Sequence, residues 1–339
     1  MPWSRFDRTY EAPTGGRQIT YCDALREGIE QAMSHDPRVF AIGLDADDKF
    51  GVFGSMRDLT HKDRVLGTPI SENAMTGVAL GAALSGLRPI HVHLRVDFML
   101  TAMDQIVNYV AKWQDMFGRQ GKVPLVIRAI VGRGWGCGAQ HSQTLHGWFA
   151  HIPGLKVVTP STPYDAKGLL LASIADDSPV VFLEHRWLYK NTGEVPSELY
   201  TLPLGKANVL HRGERLTVVA NSLAAMHALT AIEQHGLDVD LIDPRTIKPL
   251  DLDTIIASVQ RTGRLMVVDY DFPFGGFGAE VVAAVTERSF DALRQPPVRL
   301  GFPDRGMPSS GVLERTYYPT PERLAQAMTS MLLGEVVRS

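Results

Sequence analysis

The sequence predicts an α/β protein made of two doubly wound domains. Three observations carry the prediction. Short runs rich in Val, Ile and Leu alternate with helical patterns of roughly 10–15 residues, the signature of parallel strands joined by crossover helices. That rhythm breaks once, across residues 186–215, and then restarts. A chain of 339 residues is also long enough for about two domains with large cores.

In the first half, RVFAIG (38–43), PIHVH (89–93), PLVIRAI (124–130), LKVVTP (155–160) and PVVFLEH (179–185) read as strands. Helical patterns fill Thr20 to Ser34, Ser71 to Ser85, Asp97 to Met116 and Pro163 to Ala175. Thr20 followed by Asp23 forms a variant capping box at the first of them. The stretch 186–215 is polar, rich in turn residues and without a helical period, so it reads as a linker with a short hairpin. Strands then recur at LTVVANS (216–222), VDLIDPR (239–245), RLMVVDYD (264–271) and VRLGF (298–302), with helices near 223–235, 251–262, 277–293 and 320–333. The domains fall at 15–190 and 206–335, joined by 186–205.

Charged residues make up 21% and hydrophobic ones 45% of the chain, the balance of an ordinary soluble protein. The net charge is −3 and no basic cluster stands out, which argues against a nucleic-acid partner. No apolar run reaches the ~18 residues of a membrane helix. The opening MPWSRFDRTYEAPTGGR lacks the apolar core of a signal peptide. Cys22 and Cys137 have no metal-type spacing and suit a reducing compartment. A cytoplasmic protein is the expectation.

In LGTPISENAMTGVALGAALSGLRPI (66–90), Ser71 is placed to cap a helix and Glu72 sits in its first turn, where the helix dipole favours negative charge. No charge follows from Asn73 to Gly86, and Gly77, Gly81, Ala82 and Ala83 leave the surface smooth. This helix is therefore predicted to be buried on most sides, with another backbone close against it. Glu72 is either a solvated capping charge or a placed carboxyl group. GGFGAE (275–280) lacks the GxGxxG spacing of a dinucleotide site and reads as a glycine turn into a helix. The chain has no phosphate-cradling GxxxxGK[ST], and no GDG followed by Asn of the kind that holds Mg²⁺ on a diphosphate. His141, His146 and His151 fit neither a helical metal pair nor HExxH. His141, flanked by Gln140, Ser142 and Gln143, is either a general acid with neighbours that fix its tautomer or a surface histidine.

Taken in order, TPISE, GLRPI, DQIVNYVAK, GAQHSQ, WFAHIPGLKVVTPSTPYDAKGLL, PVVFLEH and PLGKA form a set that continues through LIDPRTIKPLD, GFGAE and YPTPE. The set closely resembles the β subunit of the thiamine-diphosphate-dependent decarboxylating component of 2-oxo acid dehydrogenase complexes, of the pyruvate, branched-chain and acetoin type. The likeness runs from about Ile19 to the C-terminus. It implies a transketolase-type pyrimidine-binding domain followed by a transketolase C-terminal domain. Such a chain helps decarboxylate a 2-oxo acid and pass the acyl unit to a lipoyl carrier.

By the same resemblance, Glu72 hydrogen-bonds the pyrimidine ring of thiamine diphosphate and promotes the imino tautomer that removes the thiazolium proton. An apolar setting raises the pKa of such a carboxyl and lets it share a proton with the ring. Ile70, Leu94 and Phe98 are implied to line the pocket around that ring, and His141 to serve acyl transfer to the lipoyl group. The family's α subunit holds Mg²⁺ and the diphosphate, so the cofactor is shared within a heterotetramer of two α and two β chains. A lipoyl-bearing acyltransferase or carrier completes the partners. ASIADDSP (172–179) falls where some members bind K⁺ through carbonyls and an aspartate, here Ile174 and Asp176.

The departures from the family lie near the implied site. Leu44 replaces a common glutamate, Gly67 replaces an aspartate before TPISE, and Val92 replaces a glutamate. His91, His93 and Arg95 are new, and His146 stands where many bacterial members are acidic. His93, Arg95 and His146 are therefore candidate substrate contacts. They open a second reading, in which a two-carbon ketol unit moves from a ketose phosphate to a lipoyl-like or acyl carrier. A third reading, a non-catalytic assembly subunit, is opposed by the retained Glu72.

Overall fold

The computed structural model describes residues 17–118, 120–132, 136–335 and 337. The opening segment read as lacking a signal peptide lies outside the described residues, apart from Arg17. The chain divides into two compact units, one holding the residues up to 131 with 149–204, the other holding 132–148 and the residues from 205 onward.

The first unit begins with β1 (Arg17–Thr20), α1 (Tyr21–His35), β2 (Val39–Gly43), β3 (Val65–Gly67), α2 (Glu72–Leu84) and β4 (Arg88–His93). It continues through α3 (Val96–Met99), α4 (Trp113–Met116) and β5 (Val126–Val131). After the excursion that ends in α5 (His146–His151) come β6 (Lys156–Val158), α6 (Pro163–Ala175), β7 (Val180–His185) and β8 (Thr192–Val195). Its main sheet runs β6-β7-β5-β4-β2-β3, all parallel, while β1 and β8 form a separate antiparallel pair. Every residue of β4, β5 and β7 is buried, as central parallel strands are when helices cover both faces.

Helix starts follow side-chain chemistry. Thr20 accepts from the Asp23 amide at 3.0 Å and Thr162 from the Asp165 amide at 3.1 Å, so the cap expected at Thr20 forms. At the centre, Arg128 and Glu184 are fully buried and pair, with Nε to Oε1 at 2.5 Å, while Arg128 Nη2 also meets Ser55 Oγ at 2.5 Å.

The second unit carries β9 (Asn208–His211), β10 (Thr217–Ala220), α7 (Ser222–His235), β11 (Asp240–Asp243) and the short β12 (Thr246–Lys248). It ends with α8 (Leu252–Thr262), β13 (Leu265–Val268), α9 (Phe277–Ser289), β14 (Val298–Leu300), α10 (Gly311–Glu314) and α11 (Pro321–Leu333). Its sheet runs β14-β13-β10-β11-β9, parallel except for β9 at one edge. Gly236, Gly263 and Gly334 end α7, α8 and α11 in the left-handed region, where glycine pays no steric cost.

Three expectations are corrected. The single helix expected from Asp97 to Met116 is broken into α3, a 3₁₀ turn, a π turn over Asp104–Val110 and α4. A bond from the Ala111 amide to the Ile106 carbonyl, 3.0 Å, takes up the extra residue. No hairpin forms within 186–215: β8 pairs antiparallel with β1, and β9 joins the second sheet. Finally, α2 is buried on one face only, through Thr76, Ala79, Leu80 and Ala83, where it packs on β4 and on the 3₁₀ and π turns over Leu100–Ala102 and Asp104–Val110. Among the described residues no helix is long and apolar enough to cross a membrane.

Candidate functional site

The C-terminal end of β3 leads through Thr68, Pro69, Ile70 and Ser71 into α2, so Glu72 projects from the first turn at the C-terminal edge of a parallel sheet. This is where α/β folds place ligands. Ser71 occupies the N-cap position without making a side-chain cap bond. Glu72 is half-buried, and its carboxylate makes no hydrogen bond or ion pair with any described residue. Ile70 beside it is 76% exposed. A Cβ at Gly67 would meet the exposed Asp47 carboxylate, which would have to swing aside. A carboxylate from the preceding loop thus stands against the Gly67 backbone.

Behind α2, β4 presents two buried histidines. His91 Nε2 lies 3.0 Å from Thr76 Oγ1 and Nδ1 lies 3.2 Å from the Ile42 carbonyl. The Thr76 hydroxyl also reaches the Glu72 carbonyl at 2.7 Å. The His93 ring packs edge-on against His91, 4.4 Å between centroids. Burial pushes the His91 imidazole down to about 4, and burial lowers His93 well below the usual range. Both rings are therefore neutral at ordinary pH. Thr76 escaped the sequence reading, although it is the only hydroxyl in α2 and lies one turn after Glu72.

Beyond His93 the strand ends. Arg95 is a buried residue at the N-terminus of α3, not a strand residue sharing a face with His91 and His93. Leu94 and Phe98, the implied ring-lining residues, are half-buried. The residues expected around the cofactor ring thus all lie between the C-terminal ends of β3 and β4 and the first turns of the helices that follow them.

His141 is half-buried in a turn of the second unit. His146, five residues on, is almost fully buried, with Nε2 2.9 Å from Asp269 Oδ2 and 4.0 Å from Asp271 Oδ2. Burial alone would lower this imidazole, but the two carboxylates outweigh it and raise it to about 9. Asn221 Nδ2 donates to the other Asp269 oxygen at 3.1 Å. His146 and Arg95 belong to different units, and the charge of His146 is already matched. The signal for this cluster was the DYD that follows β13: two carboxylates two residues apart just past a strand's C-terminal end.

The loop implied for K⁺ is served by the chain's own cations. Arg88 Nη1 donates to the carbonyls of Ile174 and Asp176 at 2.9 and 3.0 Å. Its Nη2 pairs with Asp177 Oδ1 at 2.6 Å, and Lys156 Nζ holds Asp176 Oδ2 at 2.5 Å. These donors do not fit an added cation.

Residues 17–192 match the pyrimidine-binding domain of transketolase, and residues 205–324 match the transketolase C-terminal domain. These two matches define a transketolase-type chain. Within that class, the chain belongs to the β subunits of the decarboxylating component of 2-oxo acid dehydrogenase complexes. It is 41% identical over 333 residues to the acetoin:2,6-dichlorophenolindophenol oxidoreductase subunit beta of Cupriavidus necator, covering 94% of this chain and 98% of that one. It is 40% identical over 330 residues to the mitochondrial pyruvate dehydrogenase E1 component subunit beta-1 of Oryza sativa, covering 94% and 88%. A split-gene transketolase, solved as an inactive β4 tetramer, shares the fold with a TM-score of 0.75 at 21% identity, over 94% of this chain and 99% of that one.

Proposed function

We infer that this chain is the β half of a thiamine-diphosphate enzyme that cleaves the bond beside the carbonyl of a small 2-oxo acid or of acetoin and passes the acyl unit to a lipoyl carrier. The observation that carries this reading is the Glu72 carboxylate, unpartnered among the described residues, at the C-terminal edge of the first sheet. When bound, thiamine diphosphate supplies the electron sink for that cleavage. Glu72 would hold a proton at the pyrimidine ring nitrogen, with Ile70, Leu94 and Phe98 packing around the ring. His141 would act as general acid during acyl transfer.

The α subunit is the partner that completes the site and holds Mg²⁺ and the diphosphate, in a two-α two-β heterotetramer. The uncovered face of α2 supports this. Leu66, Ile70, Val78 and Leu87 are exposed large apolar side chains on α2, which carries no charge after Glu72, and on its flanks. Large apolar side chains left exposed together along one short stretch of chain suit a partner surface. A lipoyl-bearing acyltransferase or carrier is the second partner. The ketose-phosphate reading is weaker, because buried His93 is neutral and the charge of His146 is already balanced by Asp269 and Asp271. Neither cysteine forms a disulfide, which suits a reducing compartment such as the cytoplasm.

Calorimetric titration with thiamine diphosphate and Mg²⁺ tests the shared site. The chain alone should bind weakly and turn nothing over, and adding the α subunit should restore both. Tight binding by the isolated chain would refute a site divided between two chain types.

A further inference from the structure

The second unit fastens the His141 segment to its own sheet edge at several points, and the strongest of them is His146. Its imidazole reaches Asp269 at 2.9 Å and Asp271 at 4.0 Å, both just beyond the end of β13. Two residues earlier, Thr144 Oγ1 donates to the Tyr270 carbonyl at 2.8 Å. One residue later, the Gly147 amide bonds the Asp271 carboxyl. Positions 144, 146 and 147 are thus tied to the consecutive positions 269 to 271. The only charged group in that set on the segment's side is His146.

We propose that His146 is a positioning residue for acyl transfer: its imidazolium, clamped by Asp269 and Asp271, holds the segment that presents His141. The proposal rests on the reading of His141 as the group that serves the lipoyl carrier. The titratable groups facing His146 are the two carboxylates beyond β13; α9 contributes the Phe277 ring, 6.3 Å away and edge-on. Both carboxylates favour the charged ring, which accounts for its titration near 9 despite full burial. The clamp therefore closes at neutral pH and opens as pH rises through about 9. An ion pair of this kind, worth little at a surface, counts where water is excluded.

A positioning role separates two activities that a general structural role would lower together. In the assembled enzyme, reduction of an artificial dye acceptor reports cleavage of the donor, and acylation of a lipoyl-bearing protein reports transfer. His146→Phe should lower lipoyl acylation about tenfold or more, the scale of a small misplacement of a reacting group. Dye reduction should change little. In the wild type the ratio of acylation to dye reduction should fall as pH rises through about 9, and the variant should lack that step.

Hydrogen exchange of the amides between Gly138 and Trp148 gives a readout independent of activity. Protection should drop in His146→Phe and also in Asp271→Asn, which serves if the first variant fails to fold. Unchanged protection in a folded variant, or equal losses in both activities, would overturn the proposal. Failure of the His141 reading has a different mark: His141→Gln would leave acylation intact while the exchange results stand.

Discussion

His91 and Thr76 share a buried contact of 3.0 Å between the imidazole Nε2 and the hydroxyl Oγ1. The Ile42 carbonyl can only accept, so Nδ1 carries the ring proton and Nε2 offers a lone pair. The Thr76 proton is then shared between that lone pair and the Glu72 carbonyl. This arrangement ties the first turn of α2 to the centre of the sheet, and it needs a neutral ring.

That requirement sets the acid side of the stability profile. His91 titrates near 4 in the folded chain, against an ordinary 6.5. Between those values the unfolded chain binds the extra proton, so stability rises with pH over this window and falls on acidification. The contribution is at most about 3 kcal/mol, and buried His93 acts in the same direction. Chemical denaturation from pH 4 to 7 should show this slope, and His91→Phe should flatten it. An unchanged slope in the variant would assign the acid limb to other groups.

The Arg128–Glu184 pair predicts an asymmetry between single and double substitutions. Both side chains are fully buried, so Arg128→Met strands a carboxylate and should cost roughly 3–5 kcal/mol. Arg128→Met combined with Glu184→Leu should recover much of that loss, because no buried charge remains unpaired. Urea unfolding of the three chains provides the comparison. A double variant as weak as the single one would mean that packing, not charge, sets the cost.

Arg88 predicts indifference to potassium. Its guanidinium already bonds the Ile174 and Asp176 carbonyls. Melting curves in potassium chloride and in choline chloride at equal ionic strength should coincide. A melting temperature that climbs with potassium alone would show that the loop opens to take the ion.

Much of the architecture was legible because long, strongly periodic elements announce themselves. α1 falls at Tyr21–His35, one residue from its expected span, with its Thr20 cap and a buried stripe at helical spacing. β1 and β3, of four and three residues, are too short for alternation to register, and with β1 went the true partner of β8. The α2 helix differs from expectation for another reason. Its apolar surface implies cover on most sides, but in a single chain β4 and the turns over Leu100–Ala102 and Asp104–Val110 leave its outer face open. Of the site, Glu72 was visible through its motif, whereas Thr76, Arg88 and the carboxylates beyond β13 gain meaning only from partners distant in sequence.

The central claim is that Glu72 is a placed catalytic carboxyl and not a capping charge. Turnover of the assembled enzyme carrying Glu72→Gln tests it most directly, alongside a melting curve. Turnover should fall by about two orders of magnitude or more, the scale of lost acid–base help, while the melting temperature stays close to that of the wild type because the swap is nearly isosteric. A well-folded variant that keeps most of its turnover would contradict the claim and return Glu72 to the helix dipole.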